Sequence, residues 1–159
     1  MTNLESMSEV ELLQTHGAVI DELMRREVVR TRNNPIGDYT EWLVCKHLEL
    51  EMQRNSQSAF DAVDDSKKKR YQIKGRQSEA KKVQFSAIRN FDQHGFDFVI
   101  AVVFNQDYSI RFAAKLTHAA VADHSTYREH TNAHILILDE NALSSDGVGD
   151  ITGELNGKQ

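Results

Sequence analysis

One cysteine, one proline and one tryptophan stand in 159 residues. A single thiol, Cys45, excludes an internal disulfide framework and fits a reducing cytoplasm, the expected location. No Cys/His spacing marks structural zinc. The longest apolar run, Phe98 to Phe104, is far too short to span a membrane. The opening Met1-Thr2-Asn3-Leu4-Glu5 lacks the basic and apolar stretches of a signal peptide. There is no phosphate-cradling glycine loop and no nucleophile elbow, so P-loop and serine-hydrolase chemistry fall away. Nor is there an internal repeat or low-complexity linker. A single domain over 1–159 is the economical reading: an N-terminal helix within 1–33, a core over 35–116, and a C-terminal helix, strand and tail over 117–159.

A positive net charge is lacking too. The formal value is −5, which by itself argues against generic nucleic-acid binding. The distribution says more. Residues 66–82 carry Lys67, Lys68, Lys69, Arg70, Lys74, Arg76, Lys81 and Lys82 against Glu79 alone, leaving 11 of the 19 basic and 23 of the 24 acidic residues elsewhere. One basic segment on an acidic body is the footprint of a local phosphate-binding surface.

Periodicity divides the chain. Residues 8–31 read as an amphipathic helix opened by the capping box Ser8-x-x-Glu11, with Val10, Leu13, Gly17, Ile20, Met24 and Val28 at helical spacing. Arg25, Arg26, Arg30 and Arg32 fall toward its end, where cations suit the helix dipole and also lie free to touch a phosphate backbone. Asn34-Pro35 starts a second helix running to about Leu50, with Ile36, Tyr39, Leu43 and His47 as its buried stripe. After a loop over Asn55–Ser58, Ala59–Val63 and Lys69–Arg76 form a hairpin. Phe85–Ile88 suits the start of a short helix. Phe98–Phe104 reads as a central strand buried on both faces. Ser109–Leu116 alternates as a strand nearer an edge, Thr117 caps a short helix, and His134–Leu138 is a further strand. The fold class is α/β, a mixed sheet with helices on its faces.

Chemistry concentrates around Asp61 and the triplet Gln72-Ile73-Lys74. Strand alternation puts Gln72 and Lys74 on one face, about 7 Å apart. Asp61 reaches that face if the hairpin register allows. On a wheel centred on the second helix's apolar stripe, Glu41 falls at the border of the buried face, with Gly37 one turn before it. Trp42 lies on the otherwise polar side, which points to an interface. Phosphodiester cleavage needs charge neutralisation and an oriented water, and a divalent ion held by a few oxygen-bearing side chains supplies both. His118, His124, His130 and His134 cluster loosely, but His134 begins a strand, so helical pairing with His130 fails.

Gly37-Asp38-Tyr39-Thr40-Glu41-Trp42-Leu43-Val44, Phe60-Asp61-Ala62-Val63-Asp64 and Tyr71-Gln72-Ile73-Lys74-Gly75-Arg76 together resemble the PD-(D/E)XK nuclease superfamily, in its branch with glutamine at the second acidic position. The resemblance covers residues 35–116. It implies a restriction-endonuclease-like fold with a four-stranded mixed sheet. It also implies a Mg²⁺- or Mn²⁺-dependent endonuclease acting on DNA, with a homodimer for double-strand cleavage. Asp61, Glu41 and Gln72 would hold the metal and Lys74 would be the catalytic lysine, with Asp64 as an alternative ligand. The basic residues Lys67, Lys68, Lys69, Arg70, Arg76, Lys81 and Lys82 would hold the nucleic-acid backbone. Phe60 stands where the family often has proline, and neutral Gln72 favours an alternative: a catalytically inactive subunit on the same fold that grips nucleic acid. A third reading, an acidic interaction domain, leaves the charge asymmetry unexplained.

Overall fold

The computed structural model describes residues 3–54 and 59–157. The loop expected over Asn55–Ser58 lies outside the described residues. Two helices come first, α1 (Glu9–Arg25) and α2 (Ile36–Leu48). Then follow β1 (Glu51–Met52), β2 (Ala62–Asp64), β3 (Lys69–Gln77), β4 (Val83–Gln84), β5 (Phe98–Phe104) and β6 (Ile110–Thr117). The chain closes with α3 (His118–Asp123), β7 (Ser125–Arg128), β8 (Ala133–Leu138), β9 (Val148–Asp150) and α4 (Thr152–Leu155). A six-stranded sheet runs β1-β2-β3-β5-β6-β9, and a three-stranded one runs β4-β8-β7. Within the larger sheet only β3 and β5 are parallel. The α/β class with a mixed sheet is therefore observed, and the sheet is wider than the four strands expected.

The larger sheet buries both faces. On one, Ile73, Ile100, Val102 and Phe104 pack under Leu43 and Val44 of α2 and Leu155 of α4. On the other, Val99, Ala101, Val103 and Phe112 meet α3 and the small sheet through Val121, Leu136 and Leu138. β5 is the spine, with Val99 to Phe104 fully inaccessible, as its unbroken apolar run predicts.

Three expectations are corrected. The first helix stops at Arg25, not near residue 31. Its capping box is present, with Glu11 Oε2 accepting from Ser8 N at 2.8 Å. Glu27 turns left-handed at φ 58°, and Val29 is buried. The Asp38 carboxylate then accepts the Arg30 and Thr31 amides at 2.8 and 2.9 Å, offering the backbone partners outside a helix. Only the helix's C-terminal half packs: Ile20 is buried, while Val10 and Leu13 are 62% and 71% exposed. Second, Phe85–Ile88 is extended rather than helical. Phe85 N and Ile88 N donate to Leu136 O and His134 O at 2.9 and 2.8 Å, pairings with a strand some 50 residues away in sequence that local propensity does not encode. Third, the hairpin's first strand is Ala62–Asp64 rather than Ala59–Val63, because its ladder with β3 ends at Ala62↔Tyr71. Trp42 is half-buried within its own helix. It stacks on Tyr39 with centroids 5.8 Å apart, and the Lys46 ammonium sits 4.7 Å over its ring.

Candidate active site

Because β2 is short, it covers only the first residues of β3. Asp61 follows the ladder by one step. Its amide donates to Tyr71 O at 2.8 Å, and its Oδ2 accepts from Ile73 N at 2.7 Å. The carboxylate thus caps the strand edge that β2 leaves open, satisfying an amide with no backbone partner. It is held beside the Gln72–Lys74 segment, and its Oδ1 takes no hydrogen bond from the described residues.

Gln72 and Lys74 point to the same face of β3, the face shared by Val99 and Ala101 of β5. Gln72 is 6% exposed. Its Nε2 donates to Ala59 O at 2.9 Å and to Arg89 O at 3.0 Å. Two carbonyl acceptors fix which end of the amide is nitrogen. Its Oε1 is buried and has no partner among the described residues, and a buried acceptor left bare costs about 1–3 kcal/mol. Lys74 is half-buried, and among the described residues its ammonium has no hydrogen-bond or ion-pair partner.

Glu41 arrives from the opposite layer. Gly75 lets it: a Cβ there would lie 1.9 Å from the Thr40 hydroxyl oxygen, so α2 rests directly on the β3 backbone one residue from Glu41. The Glu41 side chain is 17% exposed and ion-paired with Arg30. Burial pushes its carboxyl up to about 7. The Asp61 carboxylate adds to that rise, and Arg30 and Lys74 oppose it. Cys45, one helical turn on, is pushed up to about 12 by burial and then by Glu41 and Asp61, so its thiol is inert. Both groups register Asp61 from α2. The two carboxylates share one field, with the Lys74 ammonium in it.

The raised Glu41 has a thermodynamic consequence. The folded protein holds this proton more tightly than the unfolded chain, whose carboxyl keeps the ordinary value of 4.5. Stability therefore falls as pH rises from about 4.5 to about 7 and levels off above. Glu41→Gln, neutral at every pH, is expected to unfold at a higher temperature than the parent near pH 8. The gap should close near pH 5. Thermal unfolding of both proteins at the two pH values checks this, and a gap independent of pH would contradict it.

Arg30 is the site residue that the sequence pattern hid. A helix continued to residue 31 would send it to solvent. The strap after α1 instead sets its guanidinium on Glu41, with Asp38 Oδ1 at 3.5 Å. Val28-Val29, a β-branched pair followed by Thr31, is the only local sign of a helix stop.

The basic residues do not gather into one patch. Lys67, Lys68 and Lys69 are exposed at the β2–β3 turn, about 17 Å along β3 from Lys74. Arg76, Lys81 and Lys82 are exposed at and beyond the other end of the strand. Arg70 is diverted inward. Its Nε and amide donate to Asp97 Oδ2 at 3.2 and 2.8 Å, and its Nη2 donates to His94 O at 2.8 Å. Arg70→Ala should lower stability by about 1–2 kcal/mol while leaving DNA affinity unchanged. Denaturant titration beside a DNA-binding isotherm checks this, and weaker DNA binding at unchanged stability would contradict it. Asp64 closes the turn, its Oδ1 accepting from Ser66 N, Ser66 Oγ and Lys67 N at 3.1, 2.7 and 3.2 Å.

Among the described residues no three His, Cys, Asp or Glu side chains gather closely enough to hold a metal ion. At the open edge of β3 two carboxylates, Asp61 and Glu41, share one field, while the buried amide oxygen of Gln72 lies on the face of β3 turned away from α2. Oxygen-only donors of this kind suit a hard divalent cation that keeps most of its waters. Comparison with known proteins adds no family: no family model matches the chain, and no curated protein is significantly similar to it. Among the described residues no helix is long and apolar enough to cross a membrane.

Proposed function

We propose that this protein is a metal-dependent DNA phosphodiesterase of the restriction-endonuclease-like type. The observation that carries the reading is the meeting of Asp61 and Glu41, from separate layers, in one field with Lys74, two residues along β3 from Gln72, whose buried amide oxygen has no partner among the described residues. A purely structural site has little reason to leave Gln72 Oε1 bare or to raise Glu41 at a cost in stability; strain of this kind collects at functional sites.

Asp61, Glu41 and Gln72 Oε1 would hold Mg²⁺ or Mn²⁺. Such an ion, when bound, neutralises phosphoryl charge and makes water a better nucleophile. The protein's own groups do the rest. Asp61 is fixed by the Ile73 amide, so its free oxygen is aimed without loss of side-chain entropy. Lys74, without an internal partner among the described residues, keeps its ammonium for a phosphoryl oxygen. There it stabilises the charge that develops as the leaving oxygen departs. Arg30 balances Glu41 at the rim. Lys67, Lys68 and Lys69 on one side and Arg76, Lys81 and Lys82 on the other would follow the backbone along β3, which confers affinity without sequence preference. With two ionised donors and one neutral one, metal affinity should be modest.

Calorimetric titration with Mn²⁺ tests the metal seat. One saturable site, lost in Asp61→Asn, supports the reading. The absence of any saturable site favours a nucleic-acid-gripping subunit without activity, the alternative that neutral Gln72 supports.

A further inference from the structure

A column of aromatic rings stands beside the site and plays no part in the chemistry above. His94 stacks on His118 with centroids 3.9 Å apart, His118 on Phe91 at 4.2 Å, and Phe91 on His134 at 4.2 Å. Tyr127 leans on His134 at 5.4 Å and is 49% exposed. The rings come from the 88–95 loop, α3, β7 and β8, so the column is assembled from distant parts of the chain. It is also braced: His118 Nε2 donates to Phe91 O at 2.7 Å, and Ser125 Oγ lies 3.1 Å from His134 Nδ1.

Phe91, His134 and Tyr127 line a cavity of about 260 Å³ together with Asn90, Asp92, Gln93 and Asn132. Tyr127 donates its hydroxyl to Asn132 Oδ1 at 2.8 Å, which orients that amide. Asn90 and Asn132 both hold left-handed backbone, φ 57° and 46°, as does His94 at 49°. Asn takes this conformation readily, and Asn132 uses it to end the short helical turn before β8. The loop is tied to the active site: Arg89, the residue before Asn90, gives its carbonyl to Gln72 Nε2 at 3.0 Å.

We propose that this cavity binds an unpaired nucleobase, stacked against the half-exposed ring of Tyr127 with its polar edge on Asn90, Gln93 and Asn132. Aromatic rings offer every base a π-face, and side-chain amides present both donors and acceptors to a base edge. A paired and stacked base cannot enter such a cavity, so the substrate strand must be single-stranded, frayed or flipped there. The inference rests on the nucleic-acid reading and adds to it the substrate's form: DNA with an unpaired base next to the scissile phosphate.

The test uses the full chain in EDTA, where no cleavage intervenes, with a short single-stranded oligonucleotide carrying 2-aminopurine and the matching duplex. The parent protein should bind the single strand more tightly than the duplex and quench the 2-aminopurine. Tyr127→Leu, at an exposed position that tolerates change, should weaken single-strand binding on the order of tenfold and abolish quenching, with duplex binding unaltered. Tyr127→Phe keeps the ring and should retain both. Unchanged single-strand affinity and quenching in Tyr127→Leu would overturn the pocket while leaving the phosphodiesterase reading standing. Binding of neither oligonucleotide would overturn both.

Discussion

Asp61→Asn is expected to abolish metal-dependent cleavage and leave the protein folded. The asparagine carbonyl can still accept the Ile73 amide that Asp61 Oδ2 now takes at 2.7 Å, so the strand edge stays capped. What is lost is the charge. With Glu41 as the one remaining ionised donor, the metal seat should fail and the rate fall by on the order of 10³-fold, the scale seen when a preorganised electrostatic group is removed. Asp61→Ala removes the cap as well and should cost a further 1–3 kcal/mol or so of stability. The pair therefore separates chemistry from architecture. Nicking rates with unfolding midpoints for both variants check this. An Asp61→Asn protein that cuts at the parental rate would move the active site elsewhere.

Gly75→Ala is the second. A Cβ at Gly75 would fall 1.9 Å from Thr40 Oγ1 and 2.8 Å from Thr40 Cβ. Thr40 is fully buried, and its hydroxyl donates to Ile36 O at 2.5 Å, so neither side can yield by rotating a flexible chain end. Helix α2 must lift from β3. Overpacking of this severity should cost about 3 kcal/mol, which lowers the unfolding midpoint by roughly 10 °C in a domain of this size. Glu41 sits next to Thr40 and would move with the helix, so cleavage should fall even at temperatures where the variant is folded. Adding Thr40→Ala removes Oγ1 and Cγ2 but keeps the Cβ at 2.8 Å, and should restore part of the stability, a coupling that a double-mutant cycle measures. A Gly75→Ala protein melting within a degree or two of the parent would refute the close contact.

Some of this was readable in the sequence and some was not, for physical reasons. Phe98–Phe104 declared itself because a strand covered on both faces is an unbroken apolar run. β3 showed alternation, which put Gln72 and Lys74 on one face, and the observed register keeps them there. The helical wheel puts Glu41 at the edge of its helix's buried stripe, and its burial beside Asp61 accords with that. The short strands β1, β4, β7 and β9 escaped because two to four residues carry too little periodicity, and their pairing depends on partners remote in sequence. The end of α1 escaped because Arg26 to Thr31 lacks the glycine or proline that usually signals a stop; Asp38, waiting on the next helix, supplies the reason. The Arg30–Glu41 pair went with it. The basic run showed a charge but not its pairing: Arg70, one of eight, forms an ion pair with Asp97.

As proposed, the site is a metal centre of modest affinity. Two carboxylates from different layers, Asp61 and Glu41, meet near Lys74 where a short strand leaves its neighbour's edge open. Glutamine in place of a third carboxylate lowers the charge that Asp61 and Glu41 must bear together, which suits a site whose Glu41 is already pushed up to about 7.

The most direct test is conversion of supercoiled plasmid to nicked circles by the purified protein. Mg²⁺ or Mn²⁺ should support conversion, EDTA should stop it, and Lys74→Ala should lose it while still binding DNA. Binding without nicking at any metal concentration, or nicking that survives Lys74→Ala, would contradict a metal-dependent phosphodiesterase built on Asp61, Glu41, Gln72 and Lys74.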